Sequence, residues 1–398
     1  MRFDPKESMT LAPSDAEFQR RWRAVRAAME AEKIDVLVMQ NRDQFLGGYV
    51  QWFTDFPARN SYPQTVIFPL HAEMTSITSG GTPPSDPGPP AWAVRGAKNR
   101  LSIGYFPSLH YTGAYDAELA VGALKPWRKG VIGVVNASQI SAAFYDYLRK
   151  HLPDARFVEA ADLVDNIKAI KSGEEIGFLM KTVALQDAVI EYARTVIRPG
   201  RRDFEIIADV IRKATELGSE EQLVLGASAP LGVPAVLRAR HFQNRMVQKG
   251  DQFSLLVEVN GPGGMYGEMG RCFFVGNKVP SELYDANELV KEAQRQTAER
   301  LKPGADPKEI WDANNELLVS RGRLPETRLY AHGQGYDLVE RPAIRDDEPM
   351  KLRQNMNISV HPTVASESLW VCLWDNFLVA ETGVSKRLHK APQEIFAV

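Results

Sequence analysis

The chain has 398 residues, 44% of them apolar and 25% charged, with 48 basic against 50 acidic side chains. That length calls for two domains, and so even a charge balance gives no electrostatic case for nucleic acid or an anionic membrane. The N-terminus lacks the apolar core of a signal peptide, no run approaches the ~18 apolar residues of a membrane span, and the two cysteines, Cys272 and Cys372, are too few for a disulfide scaffold, which together point to a cytoplasmic protein.

Ser14 and Glu17 form an S-x-x-E capping pattern, and Phe18, Trp22, Val25 and Met29 then recur at helical spacing, so the first element is a helix from Ser14. Residues 34–39, 65–68 and 131–135 are apolar runs of strand length, and the Gly- and Pro-rich stretch 80–90 is a loop between them. Alternating strands and helices make residues 1–165 a small α/β domain. Ser172 and Glu175 cap a second helix, with Ile176, Leu179, Val183 and Ile190 along one side, and residues 166–172 are the join to the second domain, 166–398. A helix from Asp203 stops at Gly218. Beyond residue 240 strands take over, at 253–259, 271–275, 356–361 and 369–379, with helices at 281–301 and 307–321 between the two pairs. A helix-plus-hairpin unit is thereby used twice, a weak internal duplication.

Polar residues interrupt these apolar strands. Glu258 and Glu268 flank a Gly-Pro-Gly-Gly bend, so a hairpin places both carboxylates on one face. His332 stands in Tyr-Ala-His-Gly-Gln-Gly, where small neighbours admit a close ligand, with Glu340 a few residues on. His361 and Asp375 each sit alone in an apolar run. Buried carboxylates are rare unless paired or metal-bound, so groups returning in this way point to one convergent polar site. His241, flanked by Arg238 and Arg240, is a further candidate just upstream; the arginines suit a substrate carboxylate or a solvated loop. Gly333-Gln-Gly335 lacks the third glycine of a nucleotide-binding turn.

The succession Lys249-Gly-Asp to Arg271, His332-Gly-Gln-Gly to Glu340-Arg-Pro, His361-Pro and Asp375 before Glu381-Thr-Gly resembles the pita-bread superfamily, the M24 peptidases, from Lys171 to the end. That family contains methionine aminopeptidase, aminopeptidase P, prolidase, creatinase and a dimethylsulfoniopropionate lyase. The resemblance implies an α/β (α+β) chain: a C-terminal pita-bread catalytic fold behind a smaller N-terminal creatinase/prolidase-type domain. It also implies departures from the two-metal peptidase set of Asp, Asp, His, Glu and Glu. Leu256 stands at the first Asp position, with Glu258 two residues on; Glu268 stands at the second Asp, His332 at the ligand His, His361 at the first Glu and Asp375 at the last. His241 corresponds to an upstream His that carries protons.

Two bridging carboxylates are thus missing, which removes at least one metal and argues against the standard aminopeptidase. A creatinase-like hydrolase of a non-peptide C–N bond in a small molecule is the expected function. His241 would be the proton shuttle, Glu258 and Glu268 would orient the substrate, and His332, His361 and Glu340 would bind its oxygens. No metal is needed there; alternatively one Fe, Mn or Zn ion is held by Glu258, Glu268, His332, His361 and Asp375. A mononuclear-metal hydrolase or lyase and a non-catalytic binding protein are the alternatives. Trp374 lines the pocket or fills core. Trp52 and Phe53 resemble an N-domain loop that reaches the neighbour's active site in creatinase-like dimers, which implies a homodimer.

Overall fold

The computed structural model describes residues 11–41, 43, 45–58, 62–81, 93–239, 242 and 244–398. Most of the predicted loop at 80–90 and two candidate site residues, Arg240 and His241, lie outside that set. The chain divides into two compact units, Met1–Lys168 and Ala169–Val398. Among the described residues no helix is long and apolar enough to cross a membrane.

The first unit contains α1 (Asp15–Glu32), β1 (Val36–Asn41), α2 (Gly48–Thr54), β2 (Gln64–Pro69), β3 (Met74–Ser79), β4 (Ala97–Ile103), α3 (Tyr115–Leu124), β5 (Val131–Val134), α4 (Ala142–His151), β6 (Arg156–Glu159) and α5 (Ala161–Lys168). Its sheet runs β4-β3-β2-β1-β5-β6, with β1 antiparallel to β2 and parallel to β5. Ser14 caps α1 by accepting the Glu17 N–H at 3.1 Å, and Phe18, Trp22, Val25 and Met29 are its buried stripe.

Trp52 and Phe53 do not have the pocket-closing role expected of them. Both side chains are fully buried in this unit's core, with Phe53 edge-on to Phe68 at 5.0 Å and the Arg21 guanidinium 5.2 Å from the Trp52 ring. Their carbonyls accept from Arg21 and from the Trp22 indole. Aromatic groups sealed into a core in this way cannot also line a neighbour's cavity.

The second unit begins with α6 (Gly173–Val196), whose Ser172–Glu175 capping box is fully formed, and α7 (Asp203–Glu216). It continues with β7 (Gln222–Pro230), β8 (Asp251–Asn260), β9 (Tyr266–Phe274), α8 (Ser281–Arg300), α9 (Pro307–Ser320), β10 (Ala331–Gly333), β11 (Glu340–Ala343), β12 (Asn357–Val360), β13 (Thr363–Ala365), β14 (Trp370–Cys372), β15 (Asp375–Leu378), β16 (Lys386–Arg387) and β17 (Phe396–Ala397). One sheet runs β17-β9-β8-β7 and the other β11-β10-β12-β15-β16, with β13 and β14 as a separate pair. The first sheet shares a core with α6 and α7 through Val189, Ile190, Ile207 and Val210, and the second is packed by Ala298 and Leu301 at the end of α8 and Ile310 and Trp311 of α9.

The apolar run at 369–379, expected as one strand, is two: β14 pairs with β13, and β15 crosses to pair with β12. β7, unrecognised in the sequence, is the edge partner of β8 along its whole length. Strand β8 is buried on both faces, which is why it reads as a continuous apolar run. Leu255, Val257 and Val259 join the α6–α7 core, while Leu256 joins Cys272, Leu373 and Trp374 on the opposite side. Glu258 follows Leu256 onto that second face, because side chains alternate along a strand.

Candidate active site

Antiparallel pairing of β8 and β9 sets Glu258 directly across from Glu268, and both are almost wholly buried. The pairing of β10 with β12 brings His332 opposite Ser359, and one residue past the end of β12 stands His361. These strands belong to different sheets of the second unit, and their side chains converge. The His332 Nε2 lies 3.5 Å from the Glu268 carboxylate, the Ser359 hydroxyl donates to the same Glu268 oxygen at 2.5 Å, and the His332 and His361 rings are 5.1 Å apart. One ligand atom from each of Glu268, His332 and His361 falls within 4.8 Å of the others.

The electrostatics follow from this packing. Burial alone would raise the Glu268 pKa, but His361, His332 and Ser359 outweigh it and hold the carboxyl at about 2. Burial pushes His361 down to about 4 against the pull of Glu268, so at neutral pH the ring is uncharged and Glu268 is the anion. Burial and the adjacent Glu268 charge push Glu258 well above the usual carboxylate range.

The M24 resemblance implies metal, and the residues present can be tested against one. The His332 Nδ1 is 2.9 Å from the Gly333 carbonyl. A carbonyl only accepts, so Nδ1 carries a hydrogen; Nε2, the nitrogen facing Glu268, donates to that carboxylate when protonated and is a ligand atom when a cation displaces its proton. The Nε2 of His361 is buried and has no hydrogen-bond partner among the described residues. A buried imidazole nitrogen left unsatisfied is costly unless something beyond the described residues meets it. Two imidazoles and one carboxylate thus fit a single divalent cation with open positions. They do not fit a second, since Leu256 is packed in an apolar cluster.

Other predicted residues lie elsewhere. The Asp375 Oδ1 is held by Arg271 at 2.7 Å, with His389 at 3.2 Å, and both members of the Arg271 pair are fully buried. Burial raises its pKa, but Arg271, His389 and Arg387 together keep it well below the usual range. It is therefore a structural anion and not part of the three-ligand group; the residue that meets the site here is its neighbour Trp374, whose ring stands edge-on to His361 at 5.5 Å. The alternation of an extended chain separates the two, and a one-residue offset exchanges their faces. Glu340 accepts from Lys171 Nζ at 2.6 Å and from the Tyr336 N–H at 2.7 Å, closing the turn between β10 and β11 instead of entering the group. Arg238 is exposed in the stretch after β7.

Sequence reasoning missed the amides that frame the site. Gln334 donates to Glu258 at 2.9 Å and accepts from Asn376 at 2.9 Å, and the Asn376 side-chain Oδ1 accepts the Glu268 N–H at 2.7 Å. Asn357 donates to the Gln334 carbonyl at 3.0 Å. Fully buried amides in strands and turns were the available signal, since such groups are kept only where every hydrogen bond has a partner.

The second unit has two sheets backed by helices, the pita-bread fold, and its polar cluster draws residues from both sheets. Residues 178–383, just over half of the chain, match the model of Metallopeptidase family M24, and the chain belongs to that family. It is 24% identical to a Xaa-Pro dipeptidase of Pyrococcus horikoshii, over 67% of this chain and 76% of that one. It is 25% identical to an ectoine hydrolase of Halomonas elongata, over 95% of this chain and 96% of the other. Among solved structures, a prolidase from Thermococcus sibiricus superposes with a TM-score of 0.79 over 97% of this chain and 100% of that one, at 16% identity. The enzymes it resembles are hydrolases, and the chain is a hydrolase of their class.

Proposed function

We propose that the protein hydrolyses a non-peptide C–N bond in a small molecule, at the centre formed by Glu268, His332 and His361. The convergence of these three groups, with the His361 Nε2 left open, is the observation that carries the proposal. Similarity to an ectoine hydrolase over nearly the whole chain supports a non-peptide substrate. The apolar packing of Leu256 supports the same choice, because a two-metal peptidase needs an acid there.

Glu268, His332 and His361 would hold one Fe, Mn or Zn ion. Bound there, such an ion supplies Lewis-acid polarisation of the scissile group and a more acidic water. Glu258, aimed from the next strand and fixed by Gln334, takes and returns the proton that hydrolysis moves from water to the departing nitrogen. Trp374 and the buried strands around it exclude bulk water. A protein at work without metal would instead use His241 as proton shuttle, with Glu258 and Glu268 orienting a cationic substrate.

Elemental analysis of purified protein before and after chelator dialysis, alongside turnover of cyclic amidines, lactams and Xaa-Pro dipeptides, tests this. About one equivalent of metal per chain, lost in His361→Phe together with turnover of a non-peptide substrate, is the expected result. Activity in metal-free protein that vanishes in His241→Ala would transfer the chemistry to that residue. Turnover of Xaa-Pro dipeptides alone would refute the proposed substrate class.

A further inference from the structure

The two cysteines face each other across strands that flank the site. Gly270 and Trp374 form an antiparallel bridge, exchanging N–H···O bonds of 3.2 and 3.1 Å. That register sets Cys272 of β9 opposite Cys372 of β14. Their sulfurs are 3.8 Å apart, and both residues are buried and reduced. The Cys372 N–H points at the Cys272 sulfur at 3.3 Å, and the Ser254 hydroxyl lies 3.6 Å from it. Contact with the Cys372 side chain, against the effect of burial, lowers the Cys272 thiol pKa, while burial raises that of Cys372. One sulfur is thus set up as the nucleophile and the other as its resolving partner.

We propose that Cys272 and Cys372 are a redox modification site, forming a reversible cross-strand disulfide with a peroxide as oxidant. The Cys272 thiolate attacks one peroxide oxygen, the O–O bond breaks, and the second oxygen leaves as water or an alcohol, giving a sulfenic acid. The Cys372 sulfur then attacks the Cys272 sulfur, the S–O bond breaks and water leaves. The two thiols together lose two electrons and two protons, and the peroxide takes up both. The sulfurs must close from 3.8 Å to about 2.05 Å, which draws β14 onto β9. There is little slack at this point, because Trp374 already lies against Gly270, where a Cβ would come within 2.7 Å of the indole. Trp374 in turn stands on His361, so oxidation shifts a wall of the active centre.

The chemistry is tested without any substrate. Full-length folded protein is treated with hydrogen peroxide, unreacted thiols are alkylated under denaturing conditions, and the digest is mapped by mass spectrometry. The expected product is a linked Cys272–Cys372 peptide pair, formed faster than in urea-unfolded protein and reversed by dithiothreitol. Cys372→Ser should instead give a Cys272 sulfenic acid that dimedone traps. Both thiols fully alkylatable after peroxide, or sulfonic acids with no linked pair, would overturn the proposal. If Cys372→Ser fails to fold, the wild-type map decides alone.

Discussion

Two buried polar clusters meet on strand β9, at Glu268 and Arg271, and they differ in one respect. Around Asp375, the acid is met by Arg271 and His389, and both charges of the Arg271 pair are fully enclosed. Around Glu268, two imidazoles and a hydroxyl converge and one imidazole nitrogen has no partner among the described residues. The first cluster is closed on itself and holds β9 to β15. The second is complete only with a partner from beyond the described residues. A buried acid in an apolar strand is therefore not by itself a sign of chemistry; an unmet lone pair beside it is.

The largest effect that separates the clusters should come from Arg271→Met. It leaves Asp375 a buried anion without its main partner and should cost about 3–5 kcal/mol in urea unfolding. A loss below about 1 kcal/mol would show that Asp375 is not dependent on the pair.

Asp116 of the first unit sharpens the contrast from the opposite direction, as a buried acid with amide and hydroxyl partners but no cation. Burial raises its pKa to about 6. The folded value lies above the unfolded one of about 3.8, so its contribution is full below pH 4 and is lost as pH rises through 6, about 3 kcal/mol in all. Asp375, held below its unfolded value, gives the reverse: stability present above pH 4 and lost in acid. Stability profiles of wild type and Asp116→Asn between pH 4 and 7 check this, and identical slopes would refute it.

A smaller loss is expected from Gln334→Leu, which removes the donor to Glu258 and should cost about 1–3 kcal/mol by urea unfolding. The smallest is expected from His361→Phe. In chelator-dialysed protein it keeps the ring volume and removes an unsatisfied nitrogen, so the unfolding midpoint should stay within about 1 kcal/mol of dialysed wild type or rise. A large loss would mean that His361 is a structural residue like Asp375.

Much of the second unit was legible in sequence because its signals are local. The Ser172–Glu175 box, the stripe of α6 and the apolar run of β8 each fix an element without reference to the rest. Glu268, His332 and His361 were legible as polar interruptions, and the ordered motifs around them carried the family. What escaped depends on three dimensions. Asp375 and Trp374 are neighbours, and which of them faces the site is settled by where the chain crosses from β14 to β15, a break that nothing in the apolar residues 369–374 announces. Trp52 and Phe53 resembled a loop reaching out, but their burial is set by Arg21 and Phe68, which are distant in sequence. Gln334 and Asn376 are ordinary polar residues until the fold joins them to the two glutamates.

The most direct measurement of the central claim is the rate of non-peptide C–N hydrolysis by wild type, Glu268→Gln and Arg271→Lys, each first shown to be folded. Glu268→Gln should lose about a hundredfold or more in kcat, whereas Arg271→Lys should lose stability but keep most of its turnover. A Glu268→Gln protein working at the wild-type rate would contradict the central claim.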